Sequence, residues 1–176
     1  MTKKEFMCFS LNSRLFIQRP DHTTILELHG IVGTLCCHVE NGELTYSSFN
    51  GCTPICRNLS DLTKEIEHNG EKFIPIIELA KIALPNKQGY YNLTEIKDKS
   101  VFNGLWVCLG HGYYFKYTEF CNSFDCIKFN GIIPDYNCHI PNQLQLFQKL
   151  ISWHFNLMDE SEEFTDVNTL EINPYK

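Results

Sequence analysis

Short runs that alternate apolar and polar residues fill the first 57 positions, and most runs end at a turn-forming residue. Four runs have the length and composition of strands, at 14–18, 24–28, 31–39 and 44–49. Asn41-Gly42 separates the last two runs, and this dipeptide suits a tight hairpin turn because both central residues need a positive φ. The pattern predicts a small SH3-like β-barrel over residues 1–57.

The period changes to a helical one over residues 58–84. Apolar residues of the segment 58–70 recur three or four positions apart, and Asn69-Gly70 supplies a C-terminal stop signal. In the next segment Pro75 suits the first turn of a helix, which Pro85 ends. The sequence therefore predicts two short helices here.

The second half returns to strand-like alternation and closes on a helix. The polar stretch 86–100 predicts a loop, and residues 101–140 predict a β-meander with turns at His111 and at 122–125. A broad apolar face over 142–157 predicts the final helix, and an acidic tail, 159–176, follows. We thus predict an α+β fold with a single domain, 1–158, and a tail.

Charge and length exclude several classes of protein. A chain of 176 residues with 43% hydrophobic residues can build a sizeable core. The net charge of −6 disfavours nonspecific phosphate binding, which needs clustered Lys and Arg. The sequence shows neither an apolar run of about 18 residues nor a signal-peptide pattern. We therefore expect a cytoplasmic protein with no membrane partner.

The nine cysteines are best explained as thiols, because their number is odd and cytosolic proteins rarely keep disulfides. Cys121 and Cys126 flank a four-residue loop, which would place them opposite each other in a hairpin, close enough for a disulfide under oxidation. With Cys138 and His139 they also offer zinc-ligand chemistry. Adjacent strand residues point to opposite faces, however. Buried thiols are favoured, no metal or cofactor is predicted, and metal binding at 121–139 stays open.

Aromatic residues alternate along residues 113–120. Tyr113, Phe115 and Tyr117 would share one strand face, with Tyr114 and Lys116 on the other. Aromatic side chains beside a cation can stack nucleobases, but one lysine is too small an electrostatic footprint. Direct nucleic-acid binding is therefore disfavoured. No phosphate loop, zinc-protease motif or nucleophile elbow is present, so we predict no catalytic residue, although a Cys/His site assembled in space stays open.

The acidic tail is more than a linker, because apolar residues interrupt it. Phe164, Leu170 and Tyr175 can dock either on the domain or on another protein. We predict that these three residues, together with Tyr114 and Lys116, contact a partner. The oligomeric state and the position of the tail are left open.

Two stretches carry a resemblance to known sequences: RNLSDLTKEIEHNGEKFIPIIELAKI (57–82) and LISWHFNLMDESEEFTDVNTLEINPYK (150–176). Together with the opening MTKKEFMCFSL they resemble a loose family of short proteins encoded by phages and prophages of gut bacteria. In that family a β-rich N-terminal part precedes the first stretch, and the second stretch closes the chain. Residues 86–140 lie outside the resemblance.

The resemblance implies a setting rather than an activity, since the family has no known catalytic residues. Small phage proteins often act by binding host machinery, which includes CRISPR effectors and other defence complexes. We therefore expect a non-enzymatic protein that binds a host protein or ribonucleoprotein, as an inhibitor of a defence complex. The alternative is a small nucleic-acid-binding or regulatory module, stabilised by zinc.

Overall fold

The computed structural model describes residues 1–21, 23–85, 90–97, 104–129 and 134–176, with the backbone alone for Phe120 and 134–138. The chain forms two compact units, Met1–Leu59 with Lys149–Lys176, and Ser60–Gln148. Each unit contains a β-sheet and helical segments, so the α+β class is confirmed. This division differs from the predicted one, because the tail belongs to the first unit.

The α-helices of the described residues are α1 (Lys3–Ser10), α2 (Pro75–Ala83) and α3 (Gln143–Ser152). The strands are β1 (Phe16–Gln18), β2 (Ile25–Val32), β3 (Leu35–Glu40), β4 (Glu43–Ser48), β5 (Thr53–Cys56), β6 (Ile66–His68), β7 (Glu71–Phe73), β8 (Asn92–Ile96), β9 (Gly104–Gly110), β10 (Tyr113–Thr118), β11 (Ser123–Phe129), β12 (Pro134–Cys138) and β13 (Thr165–Asp166).

The first unit is built on a six-stranded sheet in the order β13-β5-β1-β2-β3-β4. All neighbours are antiparallel except β13, which runs parallel to β5. Asn41 and Gly42, with φ of 54° and 84°, form the predicted hairpin turn between β3 and β4. The sheet is open, with β13 and β4 at its edges, so the SH3-like closure is not shown.

Helix α1 covers part of this sheet and was not predicted. Thr2 and Glu5 form a capping box, in which each side chain bonds the other residue's backbone N–H. Phe6 and Met7 are buried in a core with residues of β1, β2 and β3, to which Ile151 of α3 contributes. The Thr-x-x-Glu pattern was the sequence signal for this helix.

The predicted helix over 58–70 is wrong. A short 3-10 helix, Leu59–Thr63, precedes the hairpin of β6 and β7, whose turn holds Asn69 and Gly70 at φ of 51° and 80°. An Asn-Gly dipeptide signals both a helix end and a hairpin turn, and here it forms the turn. The second predicted helix is confirmed as α2, which begins at Pro75.

The second sheet confirms the meander, with the order β12-β11-β10-β9-β8. Strand β8 occupies part of the segment predicted as a loop, so that prediction is wrong for Asn92–Ile96; residues 86–89 and 98–103 lie outside the described residues. His111 forms the first turn at φ 53°. The second turn is a 3-10 helix, Glu119–Cys121, followed by Asn122 at φ 46°, rather than 122–125.

The final helix is shorter than the predicted 142–157, and the tail folds back. After α3 the chain reverses at His154, which has φ 60°. The tail then pairs with β5 through Thr165↔Ile55 and Asp166↔Cys56. Its last buried residue, Tyr175, packs in a small core with Ile55 and Val167.

Candidate protein-binding face

An apolar face lies open on the strands β2, β3 and β4. In their antiparallel register, Val32 is opposite Leu35, and Val39 is opposite Leu44. Directly paired residues lie on the same side of a sheet. Five large side chains share this side and are between 42% and 62% exposed, namely Val32, Leu35, Val39, Leu44 and Tyr46. We call these five residues the β4 face.

The β4 face ends at an open sheet edge. Within the described residues no strand pairs with the outer side of β4. Natural edges are usually short, charged or interrupted by proline. The opposite edge follows this rule, since β13 has two residues, whereas β4 has six residues, no proline and one charge, at Glu43. The edge of β4 therefore offers backbone hydrogen-bonding groups beside apolar side chains.

Polar groups lie at both ends of the strands that carry the β4 face, and Glu40 is on the side of β3 opposite to that face. An ion pair joins Arg19 Nη1 to Glu40 Oε2 at 3.2 Å, near the end of β3. At the other end of the strands, Lys4 Nζ donates a hydrogen bond to the backbone oxygen of Gly33 at 3.4 Å.

The other side of the same strands is core, and His38 fixes the register there. Its Nε2 and Nδ1 atoms lie 2.8 Å from Ser47 Oγ and from Thr45 Oγ1, both on β4. The imidazole is buried, and burial lowers its pKa, with a further lowering from the positive charge of Arg19. A neutral histidine thus ties β4 to β3 through two side-chain hydrogen bonds.

Tyr175, one of the predicted partner contacts, is 2% exposed. Its hydroxyl group donates to the backbone oxygen of Ile55 at 2.7 Å and accepts from the backbone N–H of Phe16 at 3.2 Å. Its ring stacks on His154 at 4.1 Å, and the guanidinium of Arg57 lies 5.1 Å from its centre. Burial raises the pKa of this phenol. Tyr175 therefore anchors the tail.

The other predicted contacts in the tail are half-buried. Phe164 packs against the core that includes Phe6, and Leu170 packs against the small core that contains Tyr175. The tail thus docks on its own unit, which resolves the alternative that the sequence left open. Contact of these residues with a partner stays a prediction.

In the second unit, the predicted contacts Tyr114 and Lys116 are half-buried and engage their own chain. The Tyr114 ring meets Phe129 edge-to-face at 5.5 Å, and the Lys116 ammonium lies 4.5 Å from the Trp106 ring centre. The register confirms that Tyr114 and Lys116 share the side opposite to Phe115. Their partner contact stays a prediction as well.

The expected pairing of Cys121 with Cys126 is wrong. Cys126 lies opposite Phe115 on one side and opposite Cys138 on the other, whereas Cys121 lies in the turn. In the part of the chain that the structure describes, no three His, Cys, Asp or Glu side chains form a group that could hold a metal ion. The side chain of Cys138 lies outside that part.

The sequence carries no clear signal for the β4 face. Over 35–39 residues of both parities are apolar, as in Leu35, Cys36, Cys37 and Val39, so alternation alone does not say which side is covered. Burial in the assembled sheet shows that Cys36 faces the core and that Leu35 does not.

Comparison of the chain with family models, with curated proteins and with solved structures finds no match. Among the residues that the structure describes, none of the helices has the length and hydropathy needed to cross a membrane.

Proposed function

We propose that this protein acts by binding another protein through the β4 face, without catalysis. The observation that supports this proposal is the grouping of five exposed apolar side chains beside an unpaired edge strand. Contiguous apolar surface on a folded chain marks interaction sites. Exposed sheet edges add a partner strand by backbone hydrogen bonds, with side-chain contacts giving specificity.

Tyr46 is the residue we expect to contribute most. Tyrosine is enriched among the few interface residues that carry most of the binding energy. Tyr46 is 53% exposed and lies opposite Cys37. Its neighbours on the same side of β4 are Leu44 and Ser48. Truncation of such a residue costs about 2 kcal/mol or more of binding free energy, which is roughly thirtyfold in Kd.

The resemblance of residues 57–82 and 150–176 to phage and prophage proteins suggests the partner. We propose that the partner is a bacterial host protein or ribonucleoprotein, and that binding inhibits a host defence complex such as a CRISPR effector. Arg57 and Tyr175, which come from the two resembling stretches, are in contact. This contact supports the view that both stretches serve one fold in that family.

A capture experiment tests the proposal. Tagged protein is recovered from a bacterial host lysate, with and without nuclease, and the captured material is identified by mass spectrometry and quantified. We expect one protein or ribonucleoprotein in stoichiometric amount, retained on the nuclease-treated sample and lost with the Tyr46→Lys variant. Capture of nucleic acid, or of a partner that nuclease removes, would favour the alternative nucleic-acid module. Capture that Tyr46→Lys leaves unchanged would contradict the proposed face.

A further inference from the structure

Two thiols of the first unit are in contact beneath α1. Cys36 lies on the core side of β3, and Cys52 follows the 3-10 turn after β4. The backbone N–H of Phe49 donates to the oxygen of Thr34 at 2.9 Å, which brings the chain segments before the two cysteines together. Both side chains are fully buried, and the Cys36 thiol hydrogen-bonds the Cys52 sulfur.

A line of polar groups leads from this thiol pair to His38. The Ser47 hydroxyl group hydrogen-bonds the Cys52 sulfur, and His38 Nε2 lies 2.8 Å from the same hydroxyl oxygen. Ser47 is directly opposite Cys36 in the register, so these side chains occupy one side of the β3–β4 hairpin. The order is Cys36, Cys52, Ser47, His38.

The ammonium group of Lys3 lies next to the pair of Cys36 and Cys52. Lys3 Nζ donates to the backbone oxygen of Cys52 at 3.2 Å and lies 4.9 Å from the ring centre of Phe49. The hydrogen bond from Cys36 and the charges of Lys3 and Arg19 outweigh burial and lower the pKa of Cys52 to about 7. The same hydrogen bond, which the Cys36 thiol donates, and burial raise the pKa of Cys36.

We propose that Cys36 and Cys52 form a peroxide-responsive dithiol that closes to an intramolecular disulfide. The Cys52 thiolate attacks one oxygen of hydrogen peroxide, the O–O bond breaks, and the released hydroxide takes the thiol proton to become water. The sulfur of Cys36 then attacks the sulfenic sulfur of Cys52, and hydroxide leaves as water with the proton of Cys36. Two thiols are oxidised and one peroxide is reduced to two waters.

The disulfide would enclose the β3–β4 hairpin, which carries most of the β4 face. Because a cross-link restricts the unfolded chain, the oxidised protein should have the higher Tm. Lys3 and Phe49, which lie next to the pair, are half-buried rather than packed deep in the core. Because hydrogen peroxide is small and uncharged, we expect it to reach the thiols from this side.

Peptide mapping under non-reducing conditions tests the proposal. The background variant lacks the exposed thiols Cys8 and Cys121, replaced by serine, so that peroxide meets no exposed cysteine among the described residues. We expect the reduced protein to lose two hydrogens on treatment and to give one peptide pair linked through Cys36 and Cys52. Cys37 is next to Cys36 in the sequence but lies on the opposite side of β3. A Cys37→Ser variant should therefore form the same link.

The rate of linkage separates a built site from mere proximity. Lys3→Gln should slow the reaction about threefold or more at pH 7, because it lowers the thiolate fraction of Cys52, whereas Lys4→Gln on the exposed side of α1 should not. The wild-type rate should rise with pH around 7, because Cys52 ionises in this range. The charged or titratable groups near Cys52 are Lys3 and Arg19, which are cationic, and His38, which is neutral. Absence of the linked peptide, linkage through other cysteines, or equal rates in both lysine variants would overturn the proposal.

Discussion

Tyr175 holds the tail in place through its hydroxyl group as well as through its buried ring. Its hydroxyl oxygen satisfies two buried backbone groups, the oxygen of Ile55 and the N–H of Phe16. Tyr175→Phe leaves both groups unpaired and should lower the free energy of unfolding by about 1–3 kcal/mol. Urea denaturation measures the loss. Ile172→Ala, at a site 77% exposed in the same tail, is the control and should stay within about 0.5 kcal/mol of wild type.

His38 gives the first unit a defined response to acid. Burial lowers its pKa in the folded state, so the unfolded chain binds a proton at a higher pH than the folded one. Its contribution to stability is fully present above the ordinary histidine pKa of about 6.5 and is lost as the pH falls below that value. Thermal melts across this range should show a steeper loss for wild type than for His38→Gln; parallel curves would contradict the assignment.

At the scale of elements, the hairpin of β6 and β7 depends on backbone conformation. Gly70 has φ 80°, a left-handed conformation that a residue with a Cβ adopts at a cost of about 1–2 kcal/mol. Gly70→Ala should therefore destabilise the protein by that amount in urea denaturation. Gly30→Ala is the control, because Gly30 has ordinary φ and its nearest atom, Cys37 Cβ, would lie 3.9 Å away. We expect that variant to be neutral or slightly stabilising.

Local sequence patterns predicted an element correctly where the pattern is compatible with one kind of structure at that position. Pro75 begins α2 and Asn41-Gly42 forms the β3–β4 turn, as their conformational limits require. Asn69-Gly70 was misassigned because a helix end and a hairpin turn need the same positive φ. The capping box of Thr2 and Glu5 was present in the sequence. Helix α1 was missed because residues 1–57 were assigned as a whole to a β-barrel.

At the scale of the whole molecule, the prediction failed where contacts are distant in sequence. The burial of Tyr175 depends on Phe16 and Ile55, and no local pattern specifies those partners. The β4 face was missed for the same reason. Strand β3 has apolar residues on both sides, and only burial in the assembled sheet shows that Leu35 and Val39 are exposed while Cys36 is not. Fold class needs only periodicity, whereas a binding face needs the assembled sheet.

The central claim is that the protein binds its partner through the β4 face. The most direct measurement compares the amount of the dominant partner captured by wild type, by Leu44→Lys with Tyr46→Lys, and by Ile172→Lys. Lysine on an edge strand is well tolerated, so the double variant should keep its Tm within a few degrees. All three positions are more than half exposed, which makes Ile172→Lys a matched control off the face.

We predict that the double variant loses the partner at least tenfold, while Ile172→Lys captures as much as wild type. Equal capture by the folded double variant and by wild type would contradict the account.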